Sequence, residues 1–443
     1  MAWGKKTGVD DLLQKLADPL TATSLYVMSI RSLSDSDVVT LAKAISTNTL
    51  LRELYMSGHE LGPLGLNAFA DCLATNMTLQ HLCLGSETLG DNAVKVLCTG
   101  LARNAQSKLR VWDLEFKSLN VDGASAIAEL LKTNKTLTTI TLSRNPIHDE
   151  GVEKVANGLS ANPQSQVAEL NLTDIGISGT GLDHLAALVA SKTCSVTTLQ
   201  LSFNSLGDAT SPFFDALATN TSVEKLLLKE CKLTDQHAAA LASASVHNLT
   251  LREIDLSDNE LTPLACAELA RGLRANKTLK ILRLTNNKCQ DEGAVLLAEV
   301  LAADNTTLTY LDMGNNGLTG TGMTPLLKAR SITQLHLFNN KLGEGLVELL
   351  PVLQANPVIE TLGLGANQLH EGRSVTLFEG LHAHPSLKTV RDGGATPPGK
   401  SWTTAALGCT GRIANPRPWM LASPNKNAQN EDGSFDYQDQ DQR

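Results

Sequence analysis

Apolar and polar positions follow one phrase along most of the chain: Leu-x-x-Leu-x-Leu-x-x-Asn-x-Leu, returning roughly every 28 residues from about residue 23 to residue 392. One copy reads Leu137, Ile140, Leu142, Asn145, Ile147. Another reads Leu251, Ile254, Leu256, Asn259, Leu261, and a third Leu279, Leu282, Leu284, Asn287, Cys289. The Leu-x-Leu core alternates with the period of a short strand that buries one face. The second half of each unit changes period. Ala124, Ile127, Ala128 and Leu131 fall at helical spacing before the polar turn Thr133-Asn134-Lys135, and Ala265, Leu269, Ala270 and Leu273 repeat the pattern. One strand and one helix cannot bury an apolar face alone. A fixed period of this size therefore predicts a stacked solenoid, not a globule with one central core.

The second apolar position of each unit falls at Tyr26, Leu54, Leu82, Trp112, Ile140, Leu170, Leu199, Leu226, Ile254, Leu282, Leu311, Leu335, Leu362 and Val390, which makes 14 units. Spacing is 27 to 30, except for 24 between Leu311 and Leu335. The missing residues come from the stretch Thr324 to Arg330, so that helix is expected to be about a turn shorter. In the first unit Leu25 and Val27 compete with Tyr26 and Met28 for the inward pair. Gly151, Gly293, Gly345 and Gly372 stand at or just before helix starts and read as tight-turn residues. Asp149 and Asp291 read as N-caps.

Each strand is expected to pair with its equivalents on either side, giving one long parallel sheet with helices on the outside only. Strands are spaced about 4.8 Å and helices about 8–10 Å, so the stack must bend with the sheet on the concave side. Fourteen strands give an inner arc of roughly 60–65 Å. The asparagine position holds Asn145, Asn204, Asn259, Asn287, Asn316, Asn340 and Asn367, with Cys231 in the role once. An amide there can bond backbone groups where the strand turns away. The first four units carry Arg31, His59, Glu87 and Lys117 instead, and the sixth Ile175, so less regular turns are expected.

With those units in hand, the chain resembles the ribonuclease-inhibitor type of leucine-rich repeat, the subfamily that also includes RanGAP and the repeat domains of NOD-like receptors. The resemblance implies an α/β leucine-rich-repeat solenoid: a horseshoe of about 14 repeats of ~28 residues, with a concave parallel β-sheet and convex α-helices. It also implies binding of other proteins through the concave face and rims. No nucleotide-hydrolysing module precedes the repeats, so the expectation stops short of a full NOD-like receptor. The organisation expected is an N-terminal cap helix over 1–22, the repeat domain over 23–392, and a cap segment with a disordered tail over 393–443. Trp402 and Trp419 are expected to fold back over the last repeat's edge.

Composition narrows the function. A formal net charge of -9 argues against non-specific nucleic-acid binding, which needs basic stripes. No apolar run approaches 18 residues and the start, Met1-Ala-Trp-Gly-Lys-Lys, lacks a secretory signal's apolar stretch, so neither a membrane span nor export is expected. The 8 cysteines contain no C-x-x-C pair and read as free thiols in a reducing compartment. Asn-x-Ser/Thr sequons at Asn76, Asn134, Asn220, Asn248, Asn276 and Asn305 share one place in the unit, the turn from helix to strand, and follow from the repeat itself; Asn171 lies in a strand.

Motifs that could carry chemistry fail their context. Gly394-Ala395-Thr396-Pro397-Pro398-Gly399-Lys400-Ser401 fits a P-loop formally, but two prolines remove backbone donors and only about forty residues follow. His382-Ala383-His384 lacks a third metal ligand. The pairs Asp149-Glu150 and Asp291-Glu292 favour a helix dipole and recur, as structural residues do. No catalytic set assembles, so no enzyme activity, cofactor, metal or small-molecule substrate is expected.

The signal lies on the concave face. Strand alternation turns Tyr55, Asp113, Glu115, Lys229, Asp255, Arg283, Tyr310, Asp312, His336 and Phe338 outward, along with Thr141, Asn171, Gln200, Ser257 and Arg391. Exposed aromatic and Arg residues are the usual anchors of interfaces. Phe116 and Phe203, just past their strands, either join that face or tuck under the loops. The expected function is a protein-interaction scaffold in the cytoplasm, with nucleus or a cytoskeletal or ciliary assembly as further locations. Its expected partner is a protein, with no membrane, nucleic acid or small molecule. The alternative is a RanGAP-like GTPase-activating protein, which would order its GTPase's own machinery without a catalytic set.

Overall fold

The computed structural model of the protein describes residues 7–207, 212–343, 349–368, 380–381, 384–391 and 402–403. The strands are β1 (Ser24–Tyr26), β2 (Glu53–Ser57), β3 (His81–Gly85), β4 (Val111–Asp113) and β5 (Thr139–Thr141), followed by β6 (Glu169–Asn171), β7 (Thr198–Gln200), β8 (Lys225–Leu227), β9 (Glu253–Asp255) and β10 (Ile281–Arg283). The series ends with β11 (Tyr310–Asp312), β12 (Gln334–His336), β13 (Thr361–Gly363), β14 (Thr389–Arg391) and β15 (Trp402–Thr403). Strands β1 to β14 pair in parallel and in chain order as one open sheet. Their apolar positions run in register, for example Leu54↔Leu82, Trp112↔Ile140 and Leu311↔Leu335, and all of these are buried. The layered core that the period predicts is therefore present.

The helices are α1 (Asp10–Ala17), α2 (Asp35–Thr47), α3 (Pro63–Thr75), α4 (Gly90–Ala102), α5 (Val121–Leu131), α6 (His148–Ser160) and α7 (Gly179–Ala190). After them come α8 (Pro212–Thr219), α9 (Asp235–His247), α10 (Pro263–Ala275), α11 (Gln290–Ala303), α12 (Gly320–Leu326) and α13 (Leu350–Gln354). From α2 to α12 each packs against its neighbours in sequence, which forms the convex layer. Helix α12 has 7 residues against 13 in α10, a loss nearer two turns than one, and Pro325 lies in its last turn. Among the described residues no helix is long and apolar enough to cross a membrane.

The first repeat resolves to Leu25 and Val27 as the inward pair. Both are buried, Leu25 pairs with Leu54, and Tyr26 and Met28 are exposed. Counting Tyr26 as an inward position is thus wrong by one residue, and a one-residue slip exchanges the two faces. Helix α1 buries Leu12 and Leu16, and Arg31 ties it down through a two-pronged ion pair with Asp11 at 2.7–2.8 Å.

Asp149 and Asp291 are not the N-caps of their own helices. Each sits inside the first turn and reaches across to the next helix. Asp149 accepts from Ser178 N at 2.8 Å and Ser178 Oγ at 2.7 Å, at the start of α7. Asp291 accepts from Thr319 N at 2.7 Å and Gly322 N at 3.0 Å, at the start of α12. Asp35, Asp91 and Asp235 do the same for α3, α5 and α10. A carboxylate there meets free N–H groups and the positive end of the helix dipole. Gly151 and Gly293 also differ from expectation. Neither has a positive φ; a Cβ on Gly151 would lie 2.7 Å from the Ile147 Cβ, and one on Gly293 2.8 Å from the Cys266 sulfur, so close packing excludes a side chain. Gly345 and Gly372 lie outside the described residues.

The asparagine row works as expected. Asn145 is fully buried; its Nδ2 donates to Leu114 O at 2.8 Å and Leu142 O at 2.9 Å, and its Oδ1 accepts from Lys117 N and Leu119 N. The Cys231 thiol donates to Leu201 O at 3.3 Å in the same place. The turn asparagines are occupied too: Asn276 Nδ2 donates to Ser245 O at 2.7 Å of the preceding repeat, and its Oδ1 accepts from Leu279 N. His384 takes that role once, donating from Nε2 to Leu353 O and accepting at Nδ1 from Leu387 N, a structural use of the histidine pair's second member. His382, the P-loop pattern, Trp419 and the tail lie outside the described residues. The backbone of β15 pairs antiparallel with β14, with Trp402 opposite Val390.

Candidate functional site

Short strands, of three residues in most repeats and five in β2 and β3, leave only a few side chains per repeat on the concave face. The register lines them into rows. The row after the second apolar position runs Tyr26↔Tyr55↔Cys83↔Asp113 at one end and Asp255, Arg283, Asp312, His336, Gly363 and Arg391 at the other. Tyr310 stands in the row before that position and Phe338 in the row after the strands. Neighbouring rows are within reach of long side chains, so rings and charges from successive repeats meet.

Near the C-terminal end a ladder forms. The Arg283 guanidinium lies 5.1 Å from the centre of the Tyr310 ring, and Tyr310 stacks on His336 with ring centres 5.0 Å apart. Glu253 on β9 holds Arg283 in a short ion pair and also meets Lys225 at 3.5 Å. Burial works against the charge on Arg283, but the hydrogen bond and the charge of Glu253 outweigh it and raise its pKa. Burial lowers the His336 pKa against the pull of Asp312, which favours the uncharged ring. Burial raises the Tyr310 pKa, with Asp312 adding to it. Beside the ladder, Phe338 is 40% exposed and leans over Gly314, where a Cβ would fall 2.3 Å from the ring.

Near the N-terminal end Tyr26 and Tyr55 stack with ring centres 4.5 Å apart and planes 5° from parallel, and His81 tilts against Tyr55 at 4.6 Å. Burial, then the Glu53 charge, pushes the Tyr55 pKa up to about 12. Below this ladder Lys117 is buried and donates to Ser57 Oγ at 3.0 Å. Cys83 beside it is pushed up to about 11, by burial first and then by Asp113.

Comparison with known proteins places these repeats. The sequence profile described as "Leucine Rich repeat" matches residues 47–70, 133–156, 247–270, 275–298 and 304–327. The mouse protein named ribonuclease inhibitor is 30% identical over 378 residues, which covers 83% of this chain and 76% of that protein. The chain belongs to the ribonuclease-inhibitor family of leucine-rich-repeat proteins. The pig ribonuclease inhibitor is 27% identical over the same length. Human NACHT, LRR and PYD domains-containing protein 14 is 29% identical over 68% of this chain, but the match spans only 31% of that longer protein. Among solved structures, TLR13 in complex with ssRNA13 overlays 77% of this chain at 14% identity with a TM-score of 0.48, too loose to carry an argument.

On this ribonuclease-inhibitor-type sheet the outward residues read from the sequence do share one face, in two groups. Asp255, Arg283, Tyr310, Asp312, His336 and Phe338 come together on β9 to β12. Tyr55, Asp113 and Glu115 belong to the other end, where Glu115 meets Arg144 at 3.6 Å. Lys229 lies between them, 5.6 Å from the centre of the Phe203 ring and 3.5 Å from Asp258. Two residues are less available than alternation predicts. Asp312 is only 9% exposed, between Arg283 and His336 in its row, and Ser257 only 5%. Burial raises the Asp312 pKa. Phe116 and Phe203 do not tuck under loops; they are 52% and 44% exposed at φ 51° and 61°.

Three participants are absent from the outward set: Tyr26, His81 and Glu253. Glu253 and His81 directly precede an inward residue, a signal as plain as that of Tyr310. The buried thiols of Cys72, Cys98 and Cys231 offer no second chemistry. Burial pushes Cys72, Cys98 and Cys231 up to about 12, and among the described residues no group of three His, Cys, Asp or Glu could hold a metal.

Proposed function

We propose that the protein is a non-catalytic scaffold that grips a folded protein partner with the concave face of its repeats, centred on Asp255, Arg283, Tyr310, His336 and Phe338. The observation that carries this reading is the C-terminal ladder. Arg and Tyr dominate binding energy when they sit pre-ordered in well-packed surroundings, and here Glu253 and stacking hold both in place before any partner arrives. Asp312 supports the ladder from below, and Tyr55, Asp113, Glu115 and Lys229 form the outer part of the contact. Kinship to proteins named ribonuclease inhibitor supports a binding role. Free cysteines support a reducing compartment, the cytoplasm.

The test is a pull-down after proximity labelling in cells identifies partners. Asp255→Lys with Tyr310→Ala and Phe338→Ala should abolish capture with no fall in melting temperature. Asp312 is left intact in that variant because its burial would confuse stability with binding. Retained capture would move the footprint off β9 to β12. The relatives' name makes a ribonuclease a partner to assay directly, by inhibition of RNA cleavage.

A further inference from the structure

The two halves of the concave face differ in charge. Strands β1 to β7 contain Glu53, Asp113 and Glu169 and no lysine or arginine. Strands β8 to β14 set Lys225, Arg283 and Arg391 against Glu253, Asp255 and Asp312. Glu53 and Glu253 hold the same place in their repeats, directly before the inward residues Leu54 and Ile254. Glu253 is paired with Arg283 and Lys225, and that arginine covers the Tyr310 ring. Glu53 has no such cation. Ser24 Oγ donates to its Oε2 at 2.8 Å, and among the described residues it takes part in no ion pair. Arg52, its neighbour in sequence, donates instead to Thr78 O, and Lys117 is buried against Ser57.

The bond to Ser24 draws the Glu53 carboxylate to β1, where Tyr26 lies two residues on and on the same face. Tyr55 covers one face of the Tyr26 ring. Among the described residues no strand lies beyond β1 on the other side, and the ring is 60% exposed. Met28, also exposed, follows it along the chain. We propose that Tyr26 and Glu53 form a site for an arginine of the protein partner, its guanidinium stacked on the free face of the ring and bonded to the carboxylate. The proposal rests on the binding face assigned above and names what the N-terminal part of that face takes. The protein fills the same arrangement itself at the other end, with Glu253, Arg283, Tyr310 and His336. Here Glu53, Tyr26, Tyr55 and His81 supply the carboxylate, the rings and the imidazole, and only the guanidinium is wanting. A planar guanidinium can stack on a ring while its N–H fork meets a carboxylate, which an ammonium cannot do. His81 does not offset the acids, because burial lowers its pKa against Asp113 and Glu53 and favours the uncharged ring. Strands that carry acids alone repel phosphate, which favours a protein's arginine over any group of a nucleic acid.

The probe is a random-peptide library displayed on phage and selected on the full-length chain. It is counter-selected on Tyr26→Leu and on Glu53→Gln, both first checked for an unchanged melting curve. Peptides that bind the parent better than both variants should carry arginine. Replacing that arginine by citrulline, which keeps the shape and removes the charge, should weaken binding about threefold, and added salt should weaken it too. Enrichment of acids, enrichment of rings without a cation, equal binding to either variant, or no discriminating peptide would each overturn the site. So would two other occupants. One is a second copy, seen as a dimer in sedimentation that Tyr26→Leu dissolves. The other is the chain's own start, seen as arginine peptides binding at least tenfold better once residues 1–6 are removed. Asp255→Lys separates the two levels. If it abolishes partner capture while Tyr26→Leu and Glu53→Gln change neither capture nor peptide binding, the footprint stands and the arginine site falls. If it leaves capture intact while arginine peptides still tell the parent from both variants, the footprint falls and the site stands.

Discussion

The first four repeats and the repeats from β9 to β12 carry ring ladders on the same face of the same sheet, yet they are built on different turns. At the C-terminal end every turn interior is an asparagine: Asn259, Asn287, Asn316 and Asn340, each bonded to backbone carbonyls of its own and the preceding repeat. At the N-terminal end the same position holds Arg31, His59, Glu87 and Lys117, each with its own arrangement. Arg31 uses Asp11, His59 Nε2 reaches Val27 O at 3.3 Å, and Lys117 crosses two repeats to Ser57. The rings above follow suit. Tyr310 has an arginine over its face and a carboxylate behind that arginine, whereas Tyr26 is 60% exposed beside the exposed Met28 and Ile30. Regular turns underlie the ladder that is fixed in place; improvised turns underlie the one that is open to solvent.

The sharpest way to break this comparison is to remove the turn residue at each end. Asn287→Leu strands several buried carbonyls and should cost about 3 kcal/mol or more. Lys117→Met removes a buried charge with one hydrogen bond and should be within about 1 kcal/mol of neutral, or stabilising. Urea denaturation read alongside amide exchange in each half measures both, since repeat arrays need not melt in one step. Equal losses would erase the distinction.

Next in size is the effect on binding. Tyr310→Ala should weaken partner capture by about 2 kcal/mol, the scale of an anchor residue, and Tyr26→Ala by under about 1. Titration calorimetry with the identified partner decides it, and the reverse order would move the footprint to the first repeats. Smaller again is the cap reaching between repeats. Asp291→Ala should lower stability by about 1–2 kcal/mol, and Asp35→Ala, with two bonds to lose, by about 1. Thermal melts of the two variants rank them.

The smallest effects are in pH. Tyr55 holds its proton to about 12 in the folded chain, above its ordinary 10.0. A folded-state pKa above the unfolded one means stability present below pH 10 and lost as pH rises through 10 to 12. Absorbance titration of the phenolates should show Tyr55 among the late tyrosines with Tyr310, and Glu53→Gln should move Tyr55 down. His336 has the opposite sign. Its folded pKa lies below 6.5, so its contribution is lost as pH falls below 6.5. Imidazole NMR should place it lower still in Asp312→Asn, because that carboxylate opposes the shift.

Much of this is written in the period. Strand, helix, face and turn interior follow from which positions recur, because stacking gives equivalent residues equivalent surroundings. Position within a repeat is legible; contact between repeats is not. Leu25, Tyr26, Val27 and Met28 are apolar in a row, so alternation alone cannot choose the inward pair, and only pairing with Leu54 does. Glu253 is readable as outward, but its hold on Lys225 and Arg283 joins residues 28 and 30 positions away. Asp312 obeys alternation and is still buried, since the side chains beside it in the row decide how much water it meets. The aspartates at helix starts look like caps of their own helices because sequence shows the nearer end first.

Those aspartates give the array a grain. At five junctions, α2 to α3, α4 to α5, α6 to α7, α9 to α10 and α11 to α12, the earlier helix finishes the start of the later one. Shortening the protein from its front would leave a helix start bare, while shortening it from the back would leave only an idle carboxylate. Fragments, permutations and grafts of these repeats should therefore tolerate loss at one end far better than at the other, and a transplanted unit should travel with the aspartate of its predecessor.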